Sequence, residues 1–360
     1  MPRVLILCAH RPGRSPSQRY RFEQYLPFLE QHGFEFDFSY LLSETDDRLF
    51  YSPGKFLQKV WILFKSIFIR IKDWSRFGNY DIIFIQREAL FLGTSFFEKR
   101  AARSGAYVIF DFDDSIWIAD TSPGNQKWEW IKKPEKLFNT LGYVQQVIAG
   151  NDYLANKAMA YNKTTRVIPT TIDTAIHFPM PELRHKNPLV LGWSGSISTI
   201  KHFETLVPVL QQLNRKYPGA FIVRVMGDPA YRNTLLPLES VAWSADTEVQ
   251  VLNTFDIGLM PLPDDAWANG KCGLKGLSYM ACAVPTVMSA VGVNKHIIQH
   301  GENGFLAKDD QEWFDLLSSL IEDAALRKRI GENGRLTVET SYSVQSHQAS
   351  YLEVFRHVGR

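Results

Sequence analysis

The sequence predicts an α/β protein of two doubly wound domains, each a parallel sheet covered by helices on both faces. Three observations predict it. Short apolar runs alternate with longer amphipathic stretches from residue 4 to 169, the pattern of strands buried on both faces and of the helices that cover them. The same alternation restarts at Leu189. Between the two stretches, Pro169, Pro179, Pro181 and Pro188 sit among polar residues, a composition that suits a junction rather than a core element. A chain of 360 residues is also long for one core and comfortable for two.

In the first half, strands are expected at 4–9, 34–41, 81–86, 107–111, 144–149 and 166–169, where β-branched and aromatic residues form runs of strand length. Helical spacing is expected near 18–31, 55–74, 95–104, 128–140 and 152–161. In the second half, strands are expected at 189–193, 221–226, 257–261 and 286–289. Helices there are expected at 200–217, 274–282, 294–300, 311–322 and 325–339, with a closing helix at 344–357. This divides the chain into a first domain at 1–178, a second at 179–343, and a C-terminal helix at 344–360 that can pack back on the first domain. No internal repeat is visible, which excludes a solenoid. In doubly wound sheets, ligands sit at the carboxyl ends of the strands, so the loops following the strands carry the chemistry.

Composition narrows the class of function. Charged residues make up 22% and hydrophobic residues 45%, which excludes a disordered or fibrous chain. Lys plus Arg number 40 and Asp plus Glu 38, so the net charge of +2 gives no whole-protein hold on nucleic acid. Cys8, Cys272 and Cys282 are odd in number and lack metal-ligand spacing, so they read as reduced thiols of a cytoplasmic protein. Residues 1–10 read as a first strand rather than a signal peptide. Residues 55–74 are different: Lys55, Lys59, Lys65, Arg70 and Lys72 interrupt Phe, Trp, Ile and Leu throughout. Such a helix can lie in an anionic membrane surface, placing the protein peripherally on the inner face of the cell membrane, or it can pack on a sheet with snorkelling lysines.

Four loops carry candidate chemistry. After the first strand, Gly13 sits among Arg11, Arg14, Arg19 and Arg21, a set that suits a phosphate. No G-x-G-x-x-G occurs there, which disfavours a dinucleotide site. Asp111, Asp113 and Asp114 follow another strand; three carboxylates so close need a positive group nearby. Together they suit acid–base work, the orientation of a sugar hydroxyl or the binding of a metal, or else Asp113 or Asp114 caps a helix. In the second half, Gly195 and Ser196 allow a backbone to approach a ligand closely, and Lys201 lies in the next helix. Last, Gly270, Lys271, Cys272, Gly273, Leu274 and Lys275 lead into a helix bearing Ser278. Two lysines at a helix N-terminus are costly unless an anion is present, which points to a phosphate ligand.

Several stretches resemble GT-B-fold glycosyltransferases, most closely the retaining enzymes of family 4. They are residues 167–173, residues 192–196 with Lys201, residues 279–286, residues 291–294 and residues 301–306. Residues 81–88 and 107–117 resemble a bacterial subgroup that builds surface polysaccharides. The resemblance covers nearly the whole chain and implies two Rossmann-like domains facing a central cleft. It also implies transfer of a sugar, with retention and without a metal or other cofactor, from a nucleotide diphosphate sugar to a saccharide or lipid-linked acceptor.

Lys201 matches the family's diphosphate-contacting lysine. By this resemblance, Gly13, Arg19, Gly195, Ser196, Lys201, Lys271, Cys272, Gly273, Leu274, Lys275 and Ser278 bind the donor. Arg19, Arg21, Asp113 and Asp114 hold the acceptor, and Asp113, Asp114, Lys201 and Lys275 are catalytic. The sequence departs from the family at its E-x7-E pair, whose positions fall on Gly270 and Ser278. The alternatives are an inactive nucleotide- or sugar-binding relative, a phosphorylase or epimerase on the same fold, and a two-domain binding protein of the periplasmic kind.

Overall fold

The computed structural model describes residues 1–52, 54–118, 133–184 and 187–356. They form two six-stranded sheets in which every pairing is parallel. Packing divides the chain into two units. The first holds residues 1–170, 270–272 and those from 347 on, and the second holds Thr171–Asn269 and Gly273–Ser346.

The first sheet contains β1 (Arg3–Cys8), β2 (Glu35–Tyr40), β3 (Ile82–Gln86), β4 (Tyr107–Phe112), β5 (Gln146–Ala149) and β6 (Thr165–Val167). Their order is β2-β1-β3-β4-β5-β6, so the winding direction reverses between β1 and β3. Val4–Cys8 and all of β3 are buried, as their unbroken apolar runs require of strands covered on both faces. Helix Phe56–Trp74 is tied to the carboxyl ends of this sheet by Arg70. Its buried guanidinium donates to the carbonyl of Cys8 at 2.9 Å and to Ser39 Oγ at 2.8 Å, and it pairs with Asp73 at 2.8 Å. A buried arginine is tolerated because its donors are satisfied.

The second sheet contains β7 (Leu189–Ser194), β8 (Phe221–Gly227), β9 (Leu238–Ala242), β10 (Ile257–Met260), β11 (Thr286–Ser289) and β12 (Phe305–Ala307). The order β12-β11-β10-β7-β8-β9 is that of a Rossmann sheet, with its reversal between β7 and β10. Strands β9 and β12 were not expected from the sequence. Both are edge strands, β9 without a fully buried residue and β12 three residues long, so neither carries the long apolar run that marks a central strand.

The helix expected over 18–31 is instead Pro16–Arg19, a 3-10 turn at Glu23–Tyr25, and Leu26–Gln31, which restarts with Pro27 in its first turn. Of the helix expected over 128–140, residues 128–132 lie outside the described residues; the described helix is Lys136–Tyr143. His357 of the closing helix lies outside them too.

The sequence puts the junction at 178/179, and the packing puts it at Thr170/Thr171. Residues from Ile172 on are tied into the second unit. Arg335 donates to the carbonyl of Thr174 at 3.1 Å and to that of His177, and Asn253 Nδ2 donates to the Phe178 carbonyl at 3.0 Å. Helix Val344–Arg356 starts in the second unit and supplies its later turns to the first. There Tyr351 stacks on Tyr25 with centroids 4.0 Å apart, and Phe355 lies among Phe34, Phe36 and Phe84.

Candidate functional site

In the first unit, the carboxyl end of β4 carries the acidic cluster. Each of its three carboxylates meets a cation. Asp111 and Arg21 form a fully buried pair, Oδ1 to Nη2 at 2.6 Å and Oδ2 to Nε at 3.3 Å. Arg21 Nη1 donates to the Ile168 carbonyl at 2.5 Å. Burial still raises the Asp111 carboxyl above its usual value, although Arg21 opposes it. Arg21 was expected to hold an acceptor. The structure instead commits its guanidinium to Asp111 and Ile168 inside the unit, because an unpaired Asp111 would be a buried, uncompensated charge.

Asp113 accepts from Arg87 Nε at 2.8 Å, and Asp114 Oδ2 lies 3.5 Å from Arg87 Nη2 and 2.7 Å from Lys271 Nζ. Burial pushes the Asp113 carboxyl up, but Arg87, Arg21 and the Ser17 hydroxyl together outweigh it and leave it below the usual range. Asp113 therefore stays ionised and is a weak base; it orients a hydroxyl better than it removes a proton. Arg87 itself sits at φ 62°, left-handed backbone that a non-glycine residue adopts at a cost of about 1 kcal/mol. Its N–H donates to the Asp111 carbonyl at 2.8 Å, so the strain aims the guanidinium at the next two carboxylates.

Residues 270–272 belong to this cluster. Asn151 Nδ2 donates to the Lys271 carbonyl at 2.9 Å, and Cys272 Sγ donates to the Asp113 carbonyl at 3.3 Å. Cys272, expected to touch the donor, is buried in the first unit's core, and burial pushes its thiol well up. A Cβ on Gly270 would lie 2.0 Å from Ser115 Oγ and 2.8 Å from Ser115 N. The space that a side chain at position 270 needs is thus filled. Lys271 was expected to need an anionic ligand; Asp114 supplies an anion from within the chain.

Part of the arginine loop after β1 is also committed. The Gly13 N–H donates to Glu23 Oε2 at 2.8 Å rather than facing a ligand, and the helix behind it, Pro16–Arg19, has only four residues. Arg14 pairs with Asp47 at 2.6 Å. Arg19 is half-buried, its guanidinium 5.0 Å from the centroid of the Tyr20 ring.

In the second unit, the residues at the reversal between β7 and β10 form a second group. Lys275 Nζ lies 4.2 Å from the centroid of the Trp193 ring on β7 and 3.4 Å from Thr199 Oγ1. Lys201 Nζ lies 5.8 Å from the centroid of Trp267, on the short helix Ala266–Asn269 after β10, and His202 stacks on the same ring at 5.0 Å. Two ammonium groups thus lie over indole rings at the reversal of this sheet, the place where such folds bind ligands.

The backbone between them is tightly packed. A Cβ on Gly195 would lie 2.4 Å from Trp193 and 2.7 Å from Lys275 Nζ, so glycine is what lets the lysine approach. Tyr279 Oη accepts from the Ser194 N–H at 2.8 Å and fixes the strand end. Gly273 takes φ +74° at the start of helix Leu274–Ala281, with Leu274 and Lys275 half-buried on its first turn. Ser196 is exposed at the loop, its Oγ 2.9 Å from Ser198 Oγ. Ser278 faces inward and donates to the Leu274 carbonyl at 2.9 Å, so its proton stays within its own helix.

The structure therefore gathers the expected residues into two groups. Asp113, Asp114, Lys271 and Cys272 share the first unit; Gly195, Ser196, Lys201, Gly273, Leu274 and Lys275 share the second. Sequence reasoning missed Arg87, Trp193 and Trp267. Arg87 lies one residue past β3, so the carboxyl-end rule that found the aspartates also points to it.

Residues 188–323 match the family Glycosyl transferases group 1. Spore coat protein SA of Bacillus subtilis (strain 168) is 21% identical over 245 residues, 59% of this chain and 65% of that protein. N-acetyl-alpha-D-glucosaminyl L-malate synthase of Bacillus anthracis is 32% identical over 90 residues, 23% of this chain and 24% of that protein. The chain thus spans less than two thirds of the length of either relative. Among solved structures, Anabaena HepE in complex with UDP and glucose superposes with a TM-score of 0.68 at 16% identity, covering 99% of this chain and 100% of that one. Sucrose-phosphate synthase from Thermosynechococcus elongatus gives 0.67 at 14% identity, with 99% and 98% covered. The likeness to these structures is one of fold, GT-B with two Rossmann-like domains.

Proposed function

With a glycosyl transferases group 1 domain over residues 188–323 and a GT-B fold as the premise, we propose that the protein transfers a sugar from a nucleoside diphosphate sugar to a saccharide or lipid-linked acceptor. The product is a surface polysaccharide or related glycoconjugate, made at the cytoplasmic face of the cell membrane, with retention and without a metal or cofactor. The observation that carries the reading is the seating of Lys201 and Lys275 on Trp267 and Trp193 at the reversal of the second sheet. A departing diphosphate gathers negative charge as the glycosidic bond breaks, and fixed ammonium groups on apolar ring faces stabilise that charge by a few kcal/mol.

In this reading Lys201, Lys275 and the first turn after Gly273 hold the diphosphate. Asp113 and Asp114 orient the acceptor hydroxyl. The acceptor proton passes to the departing diphosphate, whose oxygens gain negative charge as the bond breaks. UDP is the first nucleotide to test, because HepE holds it.

Calorimetric titration with UDP, GDP, ADP, TDP and CMP tests the donor half. One nucleotide should bind, and Lys201→Ala should weaken it about tenfold or more, since one charge-assisted contact is worth roughly 1.5–3 kcal/mol. Equal binding by wild type and Lys201→Ala would remove the donor site from this crevice. A second reading draws on Gly270 packed against Ser115 and on Ser278 bonded within its own helix. It is a partner protein that binds nucleotide or sugar without turnover. Binding of UDP-sugar with no release of UDP in the presence of acceptor extracts would favour it.

A further inference from the structure

The face of helix Phe56–Trp74 turned away from the first sheet carries an apolar stripe without a partner in the described structure. Leu57, Trp61, Phe64, Phe68 and Ile71 recur at intervals of three and four residues and are exposed to 79, 68, 53, 67 and 45%. Helical side chains at that spacing share one face, and 19 residues make it about 28 Å long. The stripe continues at Trp74, which meets Phe96 of helix Phe96–Ala101 edge-on at 5.5 Å, with the Arg100 guanidinium 4.6 Å from the Trp74 ring centroid.

The charge on these two helices is one-sided at the surface. Their only acids, Asp73 and Glu98, are both buried, and Asp73 pairs with Arg70 and Arg76. Lys72 is exposed and Lys65 half-exposed along one rim of the stripe, with Lys55 exposed at the start of the helix. Lys59 and Arg70, which the sequence left among the surface cations, turn inward and are buried. What remains outside is an aromatic band edged by Lys55, Lys72 and Arg100, while Lys65 on the same rim pairs with Asp46 at 2.5 Å.

We propose that this face docks on an anionic lipid bilayer. The rings enter the boundary between headgroups and acyl chains, and Lys55, Lys72 and Arg100 meet the headgroups. The occupant follows from charge complementarity: a band rich in Trp and Phe, with Lys55, Lys72 and Arg100 at its rim and no exposed acid on either helix, matches an anionic interface. No helix of the described residues is long and apolar enough to cross a membrane, so this is surface docking rather than insertion. The inference stands apart from the transfer reaction, since it concerns another face and requires no turnover.

The test is co-sedimentation of the full chain with vesicles of phosphatidylcholine alone and of phosphatidylcholine mixed with phosphatidylglycerol. Wild type should pellet with the mixed vesicles and stay in solution with the neutral ones. Lys55→Glu/Lys72→Glu should lose roughly fivefold or more in partitioning per cation, in line with the usual worth of a basic residue near such a surface. Trp61→Ser/Phe68→Ser should abolish pelleting, while its melting temperature and its UDP titration stay at wild-type values because both rings are exposed. Equal pelleting with both vesicle types, or a double-serine variant that pellets like wild type, would overturn the proposal. So would a wild-type dimer, seen by light scattering, that ignores vesicles and dissociates in the double-serine variant, because the stripe would then belong to a second copy.

Discussion

Lys271 Nζ lies 2.7 Å from Asp114 Oδ2, so a lysine from the chain's second half completes an acidic cluster 157 positions earlier. The pair is about one-fifth exposed on each side and shares Asp114 with Arg87. A double-mutant cycle of Lys271→Met and Asp114→Asn should return a coupling energy of about 1 kcal/mol, between that of a surface pair and a buried one. Urea midpoints of the four proteins give the value. Strict additivity would mean that Asp114 does not hold the lysine.

Gly270 stands where the resemblance leads one to expect a carboxylate, and the structure leaves no room for one. Gly270→Glu should destabilise the protein by about 2 kcal/mol or more, because its Cβ would overlap Ser115 Oγ and crowd Ser115 N. Ser115→Gly in the same chain should recover part of the loss but not all, since the backbone nitrogen remains. Thermal melts of the single and double variants measure both effects.

Much of this was legible in the sequence because it depends on local pattern. The central strands announce themselves as unbroken apolar runs, and Asp111, Asp113 and Asp114 announce a need for cations. What the sequence hides is which cation answers which acid. Arg21 and Arg14 belong to the same run of arginines, yet one is buried against Asp111 and the other, itself exposed, reaches in to the buried Asp47. That choice is set by how helix Pro16–Arg19 turns over the sheet, not by spacing along the chain. The aromatic seats of Lys201 and Lys275 are hidden for the same reason: Trp193 and Trp267 are brought to them by β7 and β10, which the sequence separates widely and the sheet places side by side.

Gly195 should tolerate no side chain without a cost at the lysine beside it. Gly195→Ala puts a methyl 2.7 Å from Lys275 Nζ and 2.4 Å from Trp193, so the lysine must leave its seat. Stability should fall by about 1–3 kcal/mol. UDP affinity should fall in step with that of Lys275→Ala, and combining the two changes should add little. Calorimetry on the three proteins decides it; full additivity would place Gly195 outside the lysine's influence.

Asp47 links stability to acid. Burial raises its carboxyl, but the His10 ring, 3.5 Å away, and the hydrogen bond from Arg14 at 2.6 Å outweigh that and bring it down to about 2. A carboxyl lowered by folding adds stability above its unfolded value, about 3.9, and loses it as pH falls through the folded one. The stability difference between wild type and Asp47→Asn should therefore be level at neutral pH, worth up to about 2 kcal/mol, and shrink between about pH 4 and pH 2. A difference that stayed constant down that range would show that the Asp47 proton is not linked to folding.

Tyr351 separates the packing of the closing helix from its polarity. Its ring stacks on Tyr25 at 4.0 Å and is fully buried, while its hydroxyl is buried without a hydrogen-bond partner among the described residues. Losing the ring should cost about 3–5 kcal/mol, so Tyr351→Ala should unfold the first unit at a much lower urea concentration. Losing only the hydroxyl removes a desolvated polar group, and Tyr351→Phe should leave the protein as stable or more stable by about 1 kcal/mol. The two substitutions thus move the midpoint in opposite directions or leave the second near zero. A Tyr351→Phe protein as unstable as Tyr351→Ala would mean that the hydroxyl, not the stacked ring, anchors the helix to the first unit.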